Sequence, residues 1–508
     1  MAKRSRPIPD AMADLAAWLI ESVSTKNLEK YLDPQMFPPI SFRDGTEAPV
    51  GPIIALWKST RPQDDAIYGA IRDRLDPTSM RPLAESVARW WVEGGSPTRH
   101  RWVIPPLAEW GNDATMVLVG QWLRDWVKKK KRVQSQLAVD LLSQVASPSA
   151  LHDLDEIAHG KGTPAFVEMA RSAFCQAAQT KGITVEDLAD QVIPTLELDS
   201  HGSRTFAEGN RSVRAQLKPG GSFELRNEAG KVVRSLPKAS GESPGEISPS
   251  DWLKQAKKRL KDLHTHQAGR LERAMIARRE WPAAAWQSLF LSHPIMRTIA
   301  PSLLWAFCDL PNNKTMFRVA EDYSLADQGD GEISLPADSR VEIPHPIDLD
   351  TETSAGWKQL FSDYAIQQPF MQLAREVNRL DPNELAGATI SRYIGTSVDH
   401  RVLKGTLKRK GWLPAPAFEG GMSVYHHKHF EVWNVTAVLF HDPVFLGGDY
   451  GSAEGVPLGI VAFIQGEFDR REGLDLRQYP TIALAKVSPV VISETLRDVD
   501  RLRPSSAE

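Results

Sequence analysis

Pro344-His345-Pro346-Ile347-Asp348-Leu349-Asp350 holds a histidine between two prolines, with two carboxylates close behind. Rigid proline flanks can present His345 as a general base or ligand, oriented by Asp348 or Asp350. The plainer reading is a turn whose imidazole caps backbone groups. Further on, the spacing of Gln368, Gln372 and Arg375 places all three on one face of the amphipathic helix expected behind Pro369. Such a face can hold a carboxylate or phosphate through the arginine fork, and it can equally anchor the acidic stretch 321–363. The candidate catalytic set is therefore His345, Asp348 and Arg375, and the candidate ligand or partner contacts are Gln368, Gln372 and Arg375.

His426, His427, His429 and His441 form the densest histidine group. On a strand His427 and His429 share a face, and two imidazoles there can begin a metal site that His441 completes from a neighbouring strand. The alternative is a row of polar residues on the solvated face of an edge strand. No metal set is asserted from this spacing, and no cofactor is expected.

Charge is segregated along the chain. Residues 251–279 carry nine Lys/Arg against three acids, and residues 321–363 carry eleven acids against two bases. Lys128, Lys129, Lys130, Lys131 and Arg132 form a second basic run, a candidate nucleic-acid contact. Lys254, Lys258 and Lys261, however, lie opposite an apolar stripe, as on a solvated helix face. Pairing of the acidic and basic stretches within the molecule is the most economical account. No Walker-type phosphate loop, H-E-x-x-H or G-x-S-x-G is present, and no G-x-G-x-x-G follows a strand. The easily read nucleotide, zinc-protease and hydrolase signatures are thereby excluded.

The elements that must position these residues change character along the chain. Up to about residue 193 apolar residues recur three and four apart, with short Pro- or Gly-bearing turns and eight of the fifteen tryptophans. This predicts a helical, HEAT-like region over residues 1–193. Alternation over 194–237 predicts a small antiparallel β subdomain. A Ser/Pro/Gly-rich linker (238–250) follows, and 251–505 reads as mixed α+β. Within that part a long helix spans 252–279, further helices begin at Pro282 and Pro294, and two helices lie within 352–379. Asp381-Pro382 opens another helix, strands lie at 423–425, 430–440, 459–464 and 482–486, and a closing helix runs from Ser493 to Leu502. Overall the fold class is α+β.

A chain of 508 residues suggests two to four domains, and its net charge of −3 favours neither nucleic acid nor anionic lipid globally. The two cysteines, Cys175 and Cys308, build neither a disulfide framework nor a zinc site. With no secretory core and apolar runs too short for a bilayer, a cytoplasmic protein is expected.

Several segments in collinear order resemble one family. They include Thr184-Val185-Glu186-Asp187-Leu188-Ala189-Asp190, Pro194–Asp199, Trp286-Gln287-Ser288-Leu289-Phe290 with His293-Pro294, and Leu304-Trp305. Pro344-His345-Pro346-Ile347, Trp357, Gln368–Glu376, Gly411-Trp412 and Ser493–Asp500 complete the set. Together they look like the MolR-type (YehI-like) domain-of-unknown-function family, found in proteins described as molybdate metabolism regulators and sometimes behind a WGR domain. The resemblance covers roughly residues 180–500. It implies no assigned catalytic activity. By association it implies a protein partner, of the MoxR-type AAA ATPase or von Willebrand A-domain kind. The expected function is accordingly an intracellular scaffold or adaptor. The rivals are an enzyme of unrecorded type centred on His345 and a nucleic-acid-associated regulator.

Overall fold

The structure is a computed structural model that describes residues 7–28, 30–160, 163–208, 211–237, 248–310, 313–447, 455–468 and 473–503. Most of the expected linker, 238–247, lies outside the described residues. The chain divides into two compact units. One comprises Met1–Leu198, Ala207–Arg211 and Leu236–Trp252; the other holds Asp199–Phe206, Ser212–Ser235 and Leu253–Glu508.

In the first unit α1 (Met12–Ser22) precedes a small hairpin of β1 (Ile40–Ser41) and β2 (Glu47–Ala48). The helices α2 (Val50–Lys58), α3 (Pro62–Arg72), α4 (Pro77–Glu93), α5 (Ile104–Trp110) and α6 (Asp113–Lys128) follow. Next come α7 (Arg132–Val145), α8 (Pro148–Ala158), α9 (Pro164–Lys181) and α10 (Val185–Gln191). Local chemistry explains where they start. Asp76, Asn112, Ser147 and Thr184 accept backbone N–H groups at the starts of α4, α6, α8 and α10. Proline occupies the first turn of α3, α4, α8 and α9, where its missing N–H costs nothing. Large rings fill the core; Trp91 and Trp126 meet edge to face at 5.5 Å.

The second unit begins with the three-stranded meander that alternation predicts, β3 (Ser203–Glu208), β4 (Arg211–Lys218) and β5 (Ser222–Asn227). Val213, Ala215 and Leu217 are its buried alternate residues. The long α11 (Pro249–Ala277) buries Ala256, Leu260, Leu263, Leu271 and Met275 along one stripe. Then come β6 (Glu280–Pro282), α12 (Ala283–Gln287) running into a π-turn at Ser288–Ser292, β7 (Leu304–Leu310) and β8 (Asn313–Val319). With β9 (Leu325–Ala326) and β10 (Arg340–Glu342) the strands form a five-stranded sheet in the order β6-β10-β7-β8-β9. Trp286 packs on it, 5.2 Å from Trp305 and 5.4 Å from Phe317.

Asp350 caps α13 (Thr351–Asp363), and Asp381 with Glu384 forms the capping box of the short α14 (Pro382–Leu385). After β11 (Thr389–Ile390), β12 (Ser397–Val398), α15 (His400–Arg409) and β13 (Leu413–Pro414) come β14 (Met422–Phe430), β15 (Val435–Phe445) and β16 (Val456–Gln465). The sheet order is β11-β16-β15-β14-β13, with β12 also on β16. Last is α16 (Pro489–Asp500), every residue of which from Val490 to Val499 is buried.

Four expected elements differ. The strand expected at 430–440 is broken by a 3₁₀ turn at Glu431–Trp433 between β14 and β15. No helix forms behind Pro369: 364–381 is irregular, and α13 is the helix the described residues show within 352–379. Here side chains replace helical bonding, since the Leu373 N–H donates to Gln368 Oε1 at 2.8 Å. Residues 482–486 form a 3₁₀ turn at Leu484–Lys486 rather than a strand. After Pro294 the chain makes short 3₁₀ turns, because the His293 ring takes the Ile295 N–H at 3.2 Å.

Candidate functional site

Irregular backbone needs bonds from elsewhere, and around Arg375 these bonds converge on α16. Arg375 Nε donates to Glu494 Oε1 at 2.6 Å and a terminal nitrogen donates to Oε2 at 2.5 Å, a two-pronged fork. Its other terminal nitrogen donates to Glu272 Oε1 of α11 at 2.7 Å and to the Met371 carbonyl at 3.1 Å. His345 completes the group. Its Nδ1 accepts the Ile347 N–H at 3.1 Å, so the ring proton sits on Nε2 and is donated to Glu494 Oε1 at 3.2 Å.

Burial is nearly total: His345 is 1% exposed, Arg375 4% and Glu494 2%. Burial alone would raise the Glu494 carboxyl. The hydrogen bonds from Arg375 and then His345 outweigh it and hold Glu494 far below the usual carboxylate range. For Arg375 burial works against the charge, but the Glu494 partnership prevails and raises it.

Two of the candidate catalytic residues, His345 and Arg375, are thus brought to one carboxylate. Asp348 is not; it pairs with Arg278 at the end of α11. The three candidate ligand contacts share no helical face. Gln372 instead behaves like a strand neighbour. Its Oε1 accepts the Leu304 N–H at 3.0 Å, and its Nε2 donates to the carbonyls of Leu304 at 2.9 Å and Pro344 at 3.2 Å. Gln368 Nε2 donates to the same Oε1 at 3.0 Å. The acidic stretch 321–363 is not where Arg375 anchors.

The histidine group is divided between two faces. β14 is no edge strand, because β13 and β15 flank it, and His426, His427 and His441 are buried. His426 Nδ1 lies 2.9 Å from His441 Nε2. His429 bonds Thr436 Oγ1 at 2.9 Å, and His427 packs against Phe468 at 4.7 Å. His441 therefore joins His426, not the His427–His429 pair. Among the described residues no group of three or more His, Cys, Asp or Glu is arranged to hold a metal.

The basic run lies between α6 and α7. Lys128, Lys129, Lys130 and Arg132 are exposed, Lys129 pairs with Asp125 at 2.8 Å, and Lys131 donates to the Gly95 carbonyl at 2.8 Å. On α11, Lys254, Lys258 and Lys261 are exposed opposite the buried stripe. No described helix is long and apolar enough to cross a membrane.

Sequence reasoning missed Glu494, Glu272 and the role of His426. The signal for Glu494 was its place in Pro489–Asp500, where five apolar residues spread round the helix instead of forming one stripe.

Residues 230–412 match a family model described as a domain of unknown function (DUF4132). His345, Gln372 and Arg375 fall inside that match; Glu494 falls outside it. The uncharacterized protein YehI of Escherichia coli (strain K12) is 26% identical over 341 residues, covering 66% of this chain and 28% of the relative. The chain thus spans well under a third of that curated relative's length. No solved structure matches. Through these two likenesses the chain is similar to a YehI-like domain of unknown function.

Proposed function

We propose that this chain is a scaffold or adaptor, with its helical unit as the HEAT-like binding surface. The observation that carries this reading is the closure of the Arg375–Glu494–His345 group. The side chains best suited to chemistry spend their hydrogen bonds on one another and are at most 4% exposed. They brace the fold and leave no face to a substrate. In the helical unit, consecutive helices from α6 to α9 pack on each other, and α5, α6 and α7 also pack on the helix after next. Such stacking supports an extended surface of the solenoid kind.

A MoxR-type AAA ATPase or a von Willebrand A-domain protein is the partner class we favour, on family association alone. The test mixes the purified chain with one protein of each class and measures mass by light scattering after size exclusion. A stoichiometric complex with either is expected. Elution of free monomer with both overturns the reading.

A further inference from the structure

Arg497, three residues beyond Glu494 on α16, is an under-satisfied charge. Its side chain is 4% exposed, and Glu494 Oε2 is 3.7 Å away and already takes Arg375 at 2.5 Å. Its Nε–H meets no acceptor among the described residues. The nearby carboxylates are engaged elsewhere. Asp498 Oδ2 accepts Trp412 Nε1 at 3.0 Å and Lys428 Nζ at 2.9 Å, and Glu272 is held by Arg375.

Two further cations border Arg497. Arg501 follows four residues later, on the same side of the helix axis. The Trp412–Asp498 bond docks the end of α15 against the last turn of α16, and this brings in Lys410. Burial, then Arg501 and also Arg497, holds the Lys410 ammonium below the usual lysine range, while Asp498 opposes the shift. Burial and then Arg375 lower Arg497. Arg375, Arg501, Lys410 and Lys428 thus lie around Arg497 and the carboxylates of Glu494, Asp498 and Glu272. Helix C-termini favour cations, which accounts for Lys410 and the exposed Arg501. It does not account for a guanidinium withdrawn from water with an unmet donor, which is costly unless something pairs with it.

We propose that Arg497, Lys410 and Arg501 form a site for a doubly charged phosphoryl-type oxyanion between the C-terminal ends of α15 and α16. The arginine fork suits two of its oxygens and the ammonium a third.

The test is calorimetric titration of the full chain with inorganic phosphate and, separately, with O-phosphoserine, against chloride at matched ionic strength. Saturable binding is expected. Lys410→Ala and Arg501→Ala, both at solvent-reachable positions, should each raise Kd about tenfold, with circular dichroism and melting in chloride unchanged. Binding of inorganic phosphate assigns a free ion. Binding of O-phosphoserine alone assigns a phosphate ester. Both results support the site. Heats no different from chloride, or a Kd that neither substitution moves, overturn it.

Discussion

Arg375 and Glu494 lie 119 residues apart in the chain and meet as a two-pronged pair, 2.6 and 2.5 Å, from which water is excluded. One partner sits on irregular backbone and the other on a helix buried from Val490 to Val499. With Glu272 and His345 attached, the pair ties α11, the 344–348 turn and the 371–378 segment to α16. A buried ion pair is not strongly stabilising against a well-packed apolar pair, but removing one member strands a charge.

Glu494→Leu is therefore expected to destabilise the second unit by about 3–5 kcal/mol, because Arg375 loses its main counter-charge. The double variant Arg375→Met with Glu494→Leu should lose much less than the two single losses combined. Urea unfolding of the four proteins measures this. Simple additivity would refute the coupling.

The His426–His441 pair predicts a pH dependence with a definite sign. His441 Nδ1 is 2.8 Å from the Asp442 carbonyl and must donate to it, so its Nε2 accepts from His426 Nδ1. A proton added to His441 Nε2 would set two donors against each other. Burial, followed by the nearby His441 and His427, pushes His426 down to about 3, and burial lowers His441 as well. Folded values below the unfolded value of about 6.5 mean that the unfolded chain binds more protons. This stabilisation is complete above about pH 6.5 and is lost as pH falls below it, for His426 by up to about 1.4 kcal/mol per pH unit down to about 3. Glu494, also depressed, contributes its loss only below about pH 4.3, so the windows start apart. The urea midpoint between pH 7.5 and 5 should fall, and in His426→Leu its slope should be shallower. An unchanged slope would count against the pair.

What could be read from the sequence was local. Caps at Thr184 and Asp381, the α11 stripe and the alternation within 194–237 and at 459–464 are bonds or contacts over a few residues, and elements form there. The segment behind Pro369 reads as helix but is irregular, because its partners are remote. Gln372 bonds Leu304 across 68 positions and Pro344 across 28. Helical spacing of Gln368, Gln372 and Arg375 was accidental to their roles. His345 was legible as a turn cap, through Ile347, but its second partner on α16 was not.

Gln372 supplies a prediction of its own. Replacing it by alanine leaves the buried Leu304 N–H and the Leu304 and Pro344 carbonyls short of partners. Each unmet buried group costs about 1–3 kcal/mol, so Gln372→Ala should destabilise by at least that much. Gln372→Glu, which keeps the acceptor and loses the donor, should be no better. Hydrogen exchange at Leu304 should accelerate in the alanine variant; unchanged protection there would show that the side chain does not hold the start of β7.

In the helical unit the sharpest constraint is Gly120 of α6. A Cβ on it would lie 1.5 Å from Asp153 Oδ2 and 2.6 Å from its Cγ, so the helices α6 and α8 approach only because that atom is missing. Asp153 cannot swing aside freely, since it is 4% exposed and Arg124 holds its other oxygen at 2.7 Å. Alanine is ordinarily the better helix former by about 1 kcal/mol, so propensity alone predicts stabilisation by Gly120→Ala. Overpacking works the other way, typically by about 1–3 kcal/mol, and displacing Asp153 would also cost the Arg124 pair. The clash should prevail and lower the melting temperature. Gly120→Ala combined with Asp153→Ala removes the colliding carboxylate and should recover part of the loss, although Arg124 then keeps only the longer pair with Glu156 at 3.6 Å. A Gly120→Ala protein at least as stable as the parent would mean that α6 and α8 are not held this close.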